Sequence, residues 1–304
     1  MMPHVICVGI VTLDQVYEVP PFKGASDKIV ARSYNRRAGG MAATAAAAVA
    51  RLGGKADFWG RVGNDDIGDF LALELRNACV GIDGLLRCAT GRSPNSAILK
   101  SPDGERLIAA FPGSDFSVRP QDLPLGAIEK ETIVLADVRW PEAGVAAFQR
   151  AHSVGALTVL DADVGKRDDM ITLGRHADHI IFSEPGLTTF AGTEELSEAM
   201  VFAREHFKGT LSVTCGAAGV KVLQGDDVKS LHAPSITPVD TTGAGDVFHG
   251  AFCLALARQN TFEDAIRYAS AAAAAKCMNG SGWNALPDHE QTDGLAAATY
   301  GRNK

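Results

Sequence analysis

Short apolar runs alternate with helical stretches along most of this chain. The apolar runs are Val5–Val11, Ala56–Gly60, Thr132–Ala136, Thr158–Asp161, His179–Phe182, Thr210–Cys215 and Gly219–Leu223. The helical stretches are Met41–Leu52, Gly68–Ala78, Glu142–Val154, Glu195–Phe207 and Ala244–Arg258. Apolar strands that alternate with helices predict a parallel β-sheet covered by helices on both faces. Ligands of such sheets bind outside the carboxyl ends of the strands, so we expect the functional site there.

Two segments interrupt this alternation and predict a small separate β-sheet. The first alternates apolar and polar residues, and the second contains two extended runs joined by Asp103-Gly104. An Asp-Gly pair between two such runs is a strong hairpin signal. We therefore expect one α/β domain over residues 1–304, with a β-sheet lid formed by about residues 15–36 and 93–112.

The charge balance and the cysteine pattern exclude several functional classes. The formal net charge is −7, and Lys and Arg are dispersed along the chain. Such a surface repels nucleic acid and anionic membranes. The six cysteines lie far apart, which argues against a zinc site or a disulfide framework. The N-terminal apolar run is too short for a signal peptide or a membrane span, so we expect a soluble, cytoplasmic protein.

The most informative segment is a Gly-rich turn at residues 241–245 that runs directly into a helix. Its small side chains leave backbone N–H groups exposed, and with the helix dipole these groups form an anion site. An Asp at a helix start is commonly a cap, but a cap does not require Gly-Ala-Gly before it. Phosphoryl transfer explains both features, because the turn can stabilise the phosphoryl charge while the carboxylate accepts a proton. The candidate catalytic residues are Gly243, Ala244, Gly245 and the base Asp246.

These residues, followed by Phe248 and Gly250-Ala251-Phe252, resemble the C-terminal signature of the ribokinase/PfkB carbohydrate kinases. The likeness extends over nearly the whole chain. Asp14 resembles the family's ligand for a sugar hydroxyl, and Gly39-Gly40 resembles its di-glycine hinge. Gly60–Gly68 resembles its G-x-V-G-x-D-x-x-G turn, and Val213–Gly219 resembles the strand and turn that line adenine and ribose.

The resemblance implies a ribokinase-like three-layer α/β/α fold with a mainly parallel sheet and a small β-sheet lid. It implies an ATP-dependent sugar kinase that uses Mg²⁺ and has Asp246 as its base. It also implies a homodimer formed through the lid sheets, whose edges would otherwise be prone to aggregate. The implied nucleotide-binding residues are Thr214, Gly216, Ala217, Gly219 and Gly243, and the implied sugar-binding residues include Asp14, Gly39 and Gly40.

Three positions depart from the family pattern. Thr44 stands where the family has Asn, so one sugar contact keeps a hydroxyl and loses an amide. The family's Asn-x-x-Glu appears as Ser183-Glu184-Pro185-Gly186, which leaves Glu184 as the candidate metal ligand, acting through water. Asp163 replaces an amide, and the sequence leaves open whether it serves the metal or caps the loop.

Two basic residues bear on the identity of the acceptor. Lys28 lies in the first lid segment, and Arg139 follows a strand end over the expected crevice. The alternatives are an ion pair between Arg139 and Asp137, or a solvated charge in either case. Two cations at one end of the acceptor imply an anionic sugar. With the segments 135–140 and 182–187, they resemble the bacterial sulfofructose kinase branch, which phosphorylates the C1 hydroxyl of 6-deoxy-6-sulfofructose.

That branch also binds the sulfonate through an Asn of the second lid segment, for which Ala109-Ala110-Phe111-Pro112 offers no counterpart. Fructose 6-phosphate, keto-deoxygluconate and a nucleoside therefore stay open as acceptors. A non-catalytic nucleotide-binding regulator is a more distant alternative, which the intact turn and Asp246 disfavour. The sequence leaves open both the need for a monovalent cation and the oligomeric state.

Overall fold

The computed structural model describes residues 2–21, 28–103, 105–225 and 227–301, which form two β-sheets and nine α-helices. The strands are β1 (His4–Val8), β2 (Thr12–Glu18), β3 (Ser33–Gly39), β4 (Lys55–Gly63), β5 (Gly81–Cys88), β6 (Asn95–Lys100), β7 (Arg106–Phe111), β8 (Thr132–Asp137), β9 (Leu157–Ala162), β10 (His179–Ser183), β11 (Thr210–Thr214), β12 (Val220–Gln224) and β13 (Asp227–Leu231). The helices are α1 (Met41–Arg51), α2 (Asp66–Asn77), α3 (Pro141–Val154), α4 (Arg167–Gly174), α5 (Glu184–Ala191), α6 (Leu196–Arg204), α7 (Ala244–Ala257), α8 (Phe262–Asn279) and α9 (His289–Tyr300). No helix within these ranges combines the length and apolarity needed to cross a membrane.

The larger sheet has nine strands in the order β13-β12-β11-β10-β9-β8-β1-β4-β5. The seven strands β11, β10, β9, β8, β1, β4 and β5 all pair in parallel with their neighbours. The strand β12 pairs antiparallel with β11, and β13 pairs antiparallel with β12 at the edge. Because β1 lies between β4 and β8, the chain winds outward from β1 in both directions. The carboxyl ends of the parallel strands consequently open onto one edge of the sheet.

The two faces of the larger sheet are covered by different helices. Val5 and Cys7 of β1 pack into one buried cluster with α1, α2, α7 and α8. The intervening Ile6 and Val8 pack into the other cluster with α3, α4, α5 and α6. Successive side chains of a strand point to opposite faces, so one short apolar strand contributes to both layers. This confirms the predicted three-layer α/β/α arrangement.

The smaller sheet, here called the lid, has the strand order β3-β2-β6-β7. The strand β2 pairs antiparallel with β3 and parallel with β6, and β6 pairs antiparallel with β7. The second predicted lid segment contains β6 and β7, joined by the hairpin at Asp103, whereas β2 begins before and β3 ends after the first predicted segment, residues 15–36. Residues 22–27 of the first segment and Gly104 of the hairpin lie outside the described residues.

The first apolar run was predicted as one strand over Val5–Val11, and this is wrong at Gly9. The strand β1 ends at Val8, the backbone of Gly9 has φ 153°, and β2 begins three residues further on. The N–H of Ile10 donates to Asp137 Oδ2 at 2.9 Å. A Cβ on Gly9 would lie 2.2 Å from that carboxyl group. A residue distant in the sequence therefore ends the strand, which no local pattern reveals.

The strands β5 and β13 and the helices α4, α5 and α9 were not predicted from the sequence. Both missed strands are mixed in polarity, with buried residues only at intervals, because each lies at an edge of the larger sheet. The helix predicted over Glu195–Phe207 is shorter and corresponds to α6. Continuous apolar runs identify only strands that are buried on both faces.

The helices α1 and α7 approach each other closely at Gly250. A Cβ placed on Gly250 would lie 2.4 Å from the carbonyl oxygen of Ala45. Most residues of α1 from Ala42 to Val49 are alanines and are buried, which permits this backbone approach. The contact matters for the site because α1 and α7 begin at the two turns, Gly39-Gly40 and Gly243, predicted to bind substrates.

We predict that Gly250→Ala lowers the free energy of unfolding by about 1–3 kcal/mol, because the new methyl group meets backbone that cannot move away. The matched control is Gly294→Ala in α9, where a Cβ meets nothing within 4 Å. Alanine is the better helix former by about 0.5–1 kcal/mol, so the control should stabilise the protein. Urea unfolding of both variants measures the difference, and a shift of the same sign in both would contradict the packing argument.

Candidate active site

The predicted anion turn lies at the start of α7. Gly243 is the N-cap residue, has φ 79° and provides no side-chain cap. The N–H of Ala244 donates to the carbonyl oxygen of Thr241 at 3.2 Å and closes the turn. The N–H groups of Gly245 and Asp246 belong to the first helical turn, where no intrahelical acceptor exists. These two groups, together with the helix dipole, form a site suited to an anion.

Asp246 is half-buried beside this turn. Burial raises the pKa of Asp246 to about 8, and the negative charges of Asp161, Asp163 and Asp137 add to the effect. A Cβ on Gly243 would lie 3.7 Å from Asp246 Oδ2 and 3.7 Å from Thr44 Cγ2. The candidate base, the turn and Thr44 are therefore neighbours. A carboxylate with a pKa near neutral pH has the basicity that general-base catalysis requires.

Asp137 connects three segments at the carboxyl edge of the sheet. Its side chain is 1% exposed and accepts the N–H groups of Ile10 at 2.9 Å, Ala42 at 3.1 Å and Arg139 at 2.8 Å. Burial raises the pKa of Asp137, and the three hydrogen bonds oppose that shift. The carboxylate thus fixes the exit of β1, the start of α1 and the loop after β8 relative to one another.

His249 and Asp161 form a buried pair behind the turn. The Nδ1 atom of His249 lies 2.7 Å from the carbonyl oxygen of Gly245 and 3.5 Å from Asp161 Oδ2. Because a carbonyl oxygen only accepts, Nδ1 carries the hydrogen. Burial lowers the pKa of His249, and burial with the charges of Asp163 and Asp137 raises the pKa of Asp161 well above its ordinary value. The pair supports the turn from inside the protein.

The predicted sugar ligands Asp14, Gly39 and Gly40 lie together where the lid meets the body. Asp14 lies on β2 and accepts a hydrogen bond from Ser96 Oγ at 2.7 Å. Burial raises the pKa of Asp14, whereas the hydrogen bond from Ser96 and the charge of Arg37 lower it. A Cβ on Gly39 would lie 2.6 Å from Asp14 Oδ2, and one on Gly40 would lie 2.5 Å from the carbonyl oxygen of Ile10. Only glycines allow this approach.

Thr44, the predicted replacement for the family's Asn, is buried in α1 and accepts a hydrogen bond from Trp283 Nε1 at 3.1 Å. Trp283 borders a cavity of about 260 Å³ between the lid and the body. The lid side of this cavity presents the basic residues Arg37, Lys100 and Arg106 beside the apolar Ile98 and Ile108. The cavity therefore combines positive charge with an apolar wall.

The lid contacts the body through Asp240, which lies just before the anion turn. The Lys100 ammonium lies 3.7 Å and the Arg106 guanidinium 3.6 Å from the Asp240 carboxylate, and Arg106 also donates to Thr242 Oγ1 at 2.6 Å. Burial raises the pKa of Asp240, but hydrogen bonds from Thr242 and the charges of Lys276 and Arg106 outweigh burial and hold this pKa below its usual value. The lid is therefore held closed over the cavity by ion pairs.

The two cations predicted to bind the acceptor are not brought together by any contact among the described residues. Arg139 is exposed at the carboxyl end of β8, and its charge lowers the pKa of Asp137 and Asp161. Its main-chain N–H, not its guanidinium, binds Asp137. Lys28 is exposed directly after the undescribed residues 22–27. Arg139 thus follows the end of β8 but is not part of the described lining of the lid cavity, and the roles of Arg139 and Lys28 stay predictions.

Four of the five predicted nucleotide residues line one cleft of about 360 Å³ on the other side of the turn. Gly243, the fifth, is the N-cap of α7 and is not part of the described lining. Ala244 and Gly245 of the turn border it, and Ala233, Ile236 and Ala274 give it an apolar wall. Gly216 has φ 54° and Gly219 has φ 90°, so both glycines are required by the turn after β11. The predicted residues in this lining are Thr214, Gly216, Ala217 and Gly219.

The predicted metal ligand Glu184 is exposed at the first position of α5. Ser183 caps that helix by accepting the N–H of Gly186 at 3.0 Å and donates to Asp163 Oδ1 at 2.6 Å. A Cβ on Gly186 would lie 2.5 Å from the carbonyl oxygen of Ala162, so the family's Glu has no room there. Within the described residues, no three His, Cys, Asp or Glu side chains form a metal cage. The carboxylates of Glu184 and Asp163 nevertheless suit magnesium, because this ion needs few protein ligands in addition to phosphate and water.

Several residues of this region were not predicted from the sequence, because their contacts are long-range. Trp283 reaches Thr44 across 239 positions, and Arg106 reaches Thr242 across 136. Lys276 is the clearest omission, since a single lysine within an alanine-rich helix is a visible signal. The residues in question are Arg37, Lys100, Arg106, Asp161, His249, Lys276 and Trp283.

The family model described as pfkB family carbohydrate kinase matches residues 2–288. The ribokinase of Haemophilus influenzae is 28% identical over 302 residues, covering 94% of this chain and 95% of the relative. The aminoimidazole riboside kinase of Salmonella typhimurium is 29% identical over 249 residues, covering 77% of this chain and 78% of the relative. The crystal structure of a candidate ribokinase from Agrobacterium tumefaciens has a TM-score of 0.88 and 32% identity, covering 100% of both chains. This chain therefore belongs to the pfkB family of carbohydrate kinases, which are ATP-dependent phosphotransferases.

Proposed function

We propose that this kinase transfers the γ-phosphoryl group of ATP to a hydroxyl of an anionic ketose, most specifically the C1 hydroxyl of 6-deoxy-6-sulfofructose. The observation that carries the proposal is the position of Asp246. Its carboxylate, with a pKa of about 8, adjoins a turn that borders both the nucleotide cleft and the basic lid cavity. A base placed there can serve an acceptor on one side and a phosphate donor on the other.

The nucleotide would bind in the cleft after β11, with its γ-phosphate on the N–H groups at the start of α7. The acceptor oxygen attacks the γ-phosphorus, the bond from that phosphorus to the β,γ-bridging oxygen breaks, and ADP leaves. Asp246 accepts the proton of the attacking hydroxyl, and the turn stabilises charge on the transferred group. Magnesium, when bound, neutralises charge on the phosphate chain, and Glu184 and Asp163 would hold it directly or through water.

The acceptor would lie between Asp14, the Gly39-Gly40 turn and Thr44. The half-buried carboxylate of Asp14 can accept hydrogen bonds from sugar hydroxyls, which both donate and accept. The closed lid excludes water, which would otherwise compete for the phosphoryl group. Asp14, Gly39 and Gly40 thus orient the acceptor, and Asp246 activates it.

Three features support an anionic acceptor. Arg139 stands at the carboxyl end of a central strand with its guanidinium unpaired by any ion pair among the described residues. Arg37 faces the same side of the lid as Asp14, its cross-strand partner. Guanidinium groups bind sulfonate and phosphate oxygens by forked hydrogen bonds. Lys28 would join them from the segment that follows residue 27.

A nucleoside acceptor is the second candidate, and Trp283 is the observation that favours it. Its indole, with Ile98 and Ile108, supplies an aromatic and apolar wall in the lid cavity. A base could stack on such a wall. One of the relatives is named an aminoimidazole riboside kinase, which is consistent with a riboside as the acceptor. Acceptor discrimination by charge separates the two candidates.

We also propose that two copies associate through the outer faces of their lids. Tyr34, Tyr17, Leu99 and Leu107 form one row across the four lid strands on the face opposite Asp14. Tyr34 is 49% and Leu107 is 55% exposed. An apolar row next to the open edge of β7 is a surface that a second copy of the same sheet would cover.

The pH dependence of kcat/KM should follow the ionisation of Asp246. A base with a raised pKa is protonated and inactive at lower pH. The value of kcat/KM should therefore rise with pH and reach half of its maximum at about pH 8. Asp163→Asn removes a negative charge but keeps an acceptor for Ser183, so the midpoint should fall by about half a pH unit to one unit. Initial rates between about pH 6 and pH 9 measure both profiles. A flat wild-type profile, or an unmoved midpoint in the variant, would refute the assignment of the base.

The acceptor is tested by ADP release with Mg²⁺ against 6-deoxy-6-sulfofructose, fructose 6-phosphate, fructose, keto-deoxygluconate, ribose and adenosine. We expect sulfofructose to be preferred and Asp246→Asn to lower kcat by about 10²–10⁴-fold. Arg139→Gln should raise KM for the sulfonate about tenfold or more and leave KM for fructose unchanged. Preference for ribose or adenosine, with no effect of Arg139→Gln, would exclude an anionic acceptor and leave the kinase assignment intact.

The dimer is tested by light scattering coupled to size-exclusion chromatography. Leu107→Asp places a charge at the β7 end of the apolar row, beside the open edge, and should convert the protein from dimer to monomer. Leu73→Asp is the matched control, because Leu73 is 53% exposed on α2, outside the lid. A monomeric wild type, or an equal effect of both variants, would rule out association through the lid.

A further inference from the structure

Lys276 is a lysine with almost no access to solvent. It lies in the alanine-rich part of α8 and is 1% exposed. Its ammonium lies 3.0 Å from the carbonyl oxygen of Asp240 and also donates to the carbonyl oxygen of Thr242. Lysines are almost never fully buried unless they are paired. Here the partners are two main-chain carbonyl groups of the segment that leads into the anion turn.

These two contacts fix the orientation of the backbone before Gly243. In a trans peptide the carbonyl and the following N–H point in opposite directions. Because the carbonyl of Thr242 points to Lys276, the N–H of Gly243 points away from it. Asp240 Oδ1 additionally accepts the N–H of Thr242 at 2.8 Å. The ammonium therefore holds residues 240–243 in one conformation, from which the phosphate-binding start of α7 follows.

Negative charges near the ammonium oppose the loss of its proton. Burial lowers the pKa of Lys276, and the carboxylates of Asp240 and Asp246 oppose that shift. Without Lys276, the carbonyl groups of Asp240 and Thr242 would lose a charged donor in a site closed to water. Backbone carbonyls that converge in this way also coordinate dissolved monovalent cations, K⁺ in particular. NH₄⁺ has the same donor chemistry as the lysine head group.

We propose that Lys276 is a positioning residue whose ammonium serves as a built-in monovalent cation, which holds residues 240–243 in the phosphate-binding conformation and makes dissolved K⁺ or NH₄⁺ unnecessary. The proposal rests on the phosphotransferase activity of the family and not on the choice of acceptor. Its test uses nucleotide binding alone, so a wrong acceptor assignment does not affect the outcome.

The experiment measures the affinity of a non-hydrolysable ATP analogue with Mg²⁺ by isothermal titration calorimetry. Wild type and Lys276→Ala are compared in KCl, NH₄Cl and tetramethylammonium chloride at equal ionic strength. Wild-type affinity should be the same in all three salts. Lys276→Ala should bind about tenfold or more weakly in tetramethylammonium, which is too large for the site, and regain most of the loss in K⁺ or NH₄⁺.

Two further variants separate positioning from simple structural damage. Lys276→Met fills the same space without charge, so its binding should be weak and unaffected by the choice of salt. Lys229→Ala removes a lysine of β13 that is paired with Glu263, and this variant should bind the analogue as wild type does. Severalfold tighter binding of wild type in K⁺ would overturn the proposal, as would a folded Lys276→Ala that binds weakly in every salt. If Lys276→Ala does not fold, the wild-type salt series and Lys276→Met decide.

Discussion

The candidate site depends on a single buried carboxylate, that of Asp137. It accepts N–H groups from Ile10, Ala42 and Arg139, which belong to three segments widely separated in the sequence. The first leads into the lid strand of Asp14, the second begins the helix of Thr44, and the third follows the carboxyl end of β8. Full hydrogen bonding is what makes the burial of such a group tolerable. The segments that carry Asp14, Thr44 and Arg139 are therefore held together by one side chain that need not touch a substrate.

Local patterns in the sequence predicted the parts of the protein that are locally determined. The buried parallel strands, the hairpin of β6 and β7 and the turn before Asp246 each depend on a few consecutive residues. The end of β1 at Gly9 could not be predicted, because Asp137 causes it from a position 127 residues away from Ile10. The edge strands β5 and β13 lack a continuous apolar run, and Trp283 reaches its partner only through the complete fold. The absence of the family's Glu at position 186 became understandable once the carbonyl of Ala162 was seen to occupy its space.

The charges of the cleft are separated by function. Carboxylates collect at the strand ends and beneath the turn, where they raise the pKa of Asp246. Cations collect on the lid and at Lys276, where they surround Asp240. A base needs neighbouring negative charge to remain a good proton acceptor, whereas phosphate and sulfonate groups need positive charge to bind. The fold satisfies both requirements by placing the anion turn at the boundary between the two regions.

The lid and the nucleotide cleft lie on different sides of that turn, and this arrangement bears on how substrates enter and products leave. None of the residues described in the lining of the nucleotide cleft comes from the lid strands. The lid cavity, in contrast, is closed against Asp240 and Thr242. With the substrates in their proposed sites, each would have a separate route to solvent. ATP and ADP would then exchange while a sugar stays in the lid cavity, whereas the sugar would enter or leave only after the ion pairs at Asp240 separate.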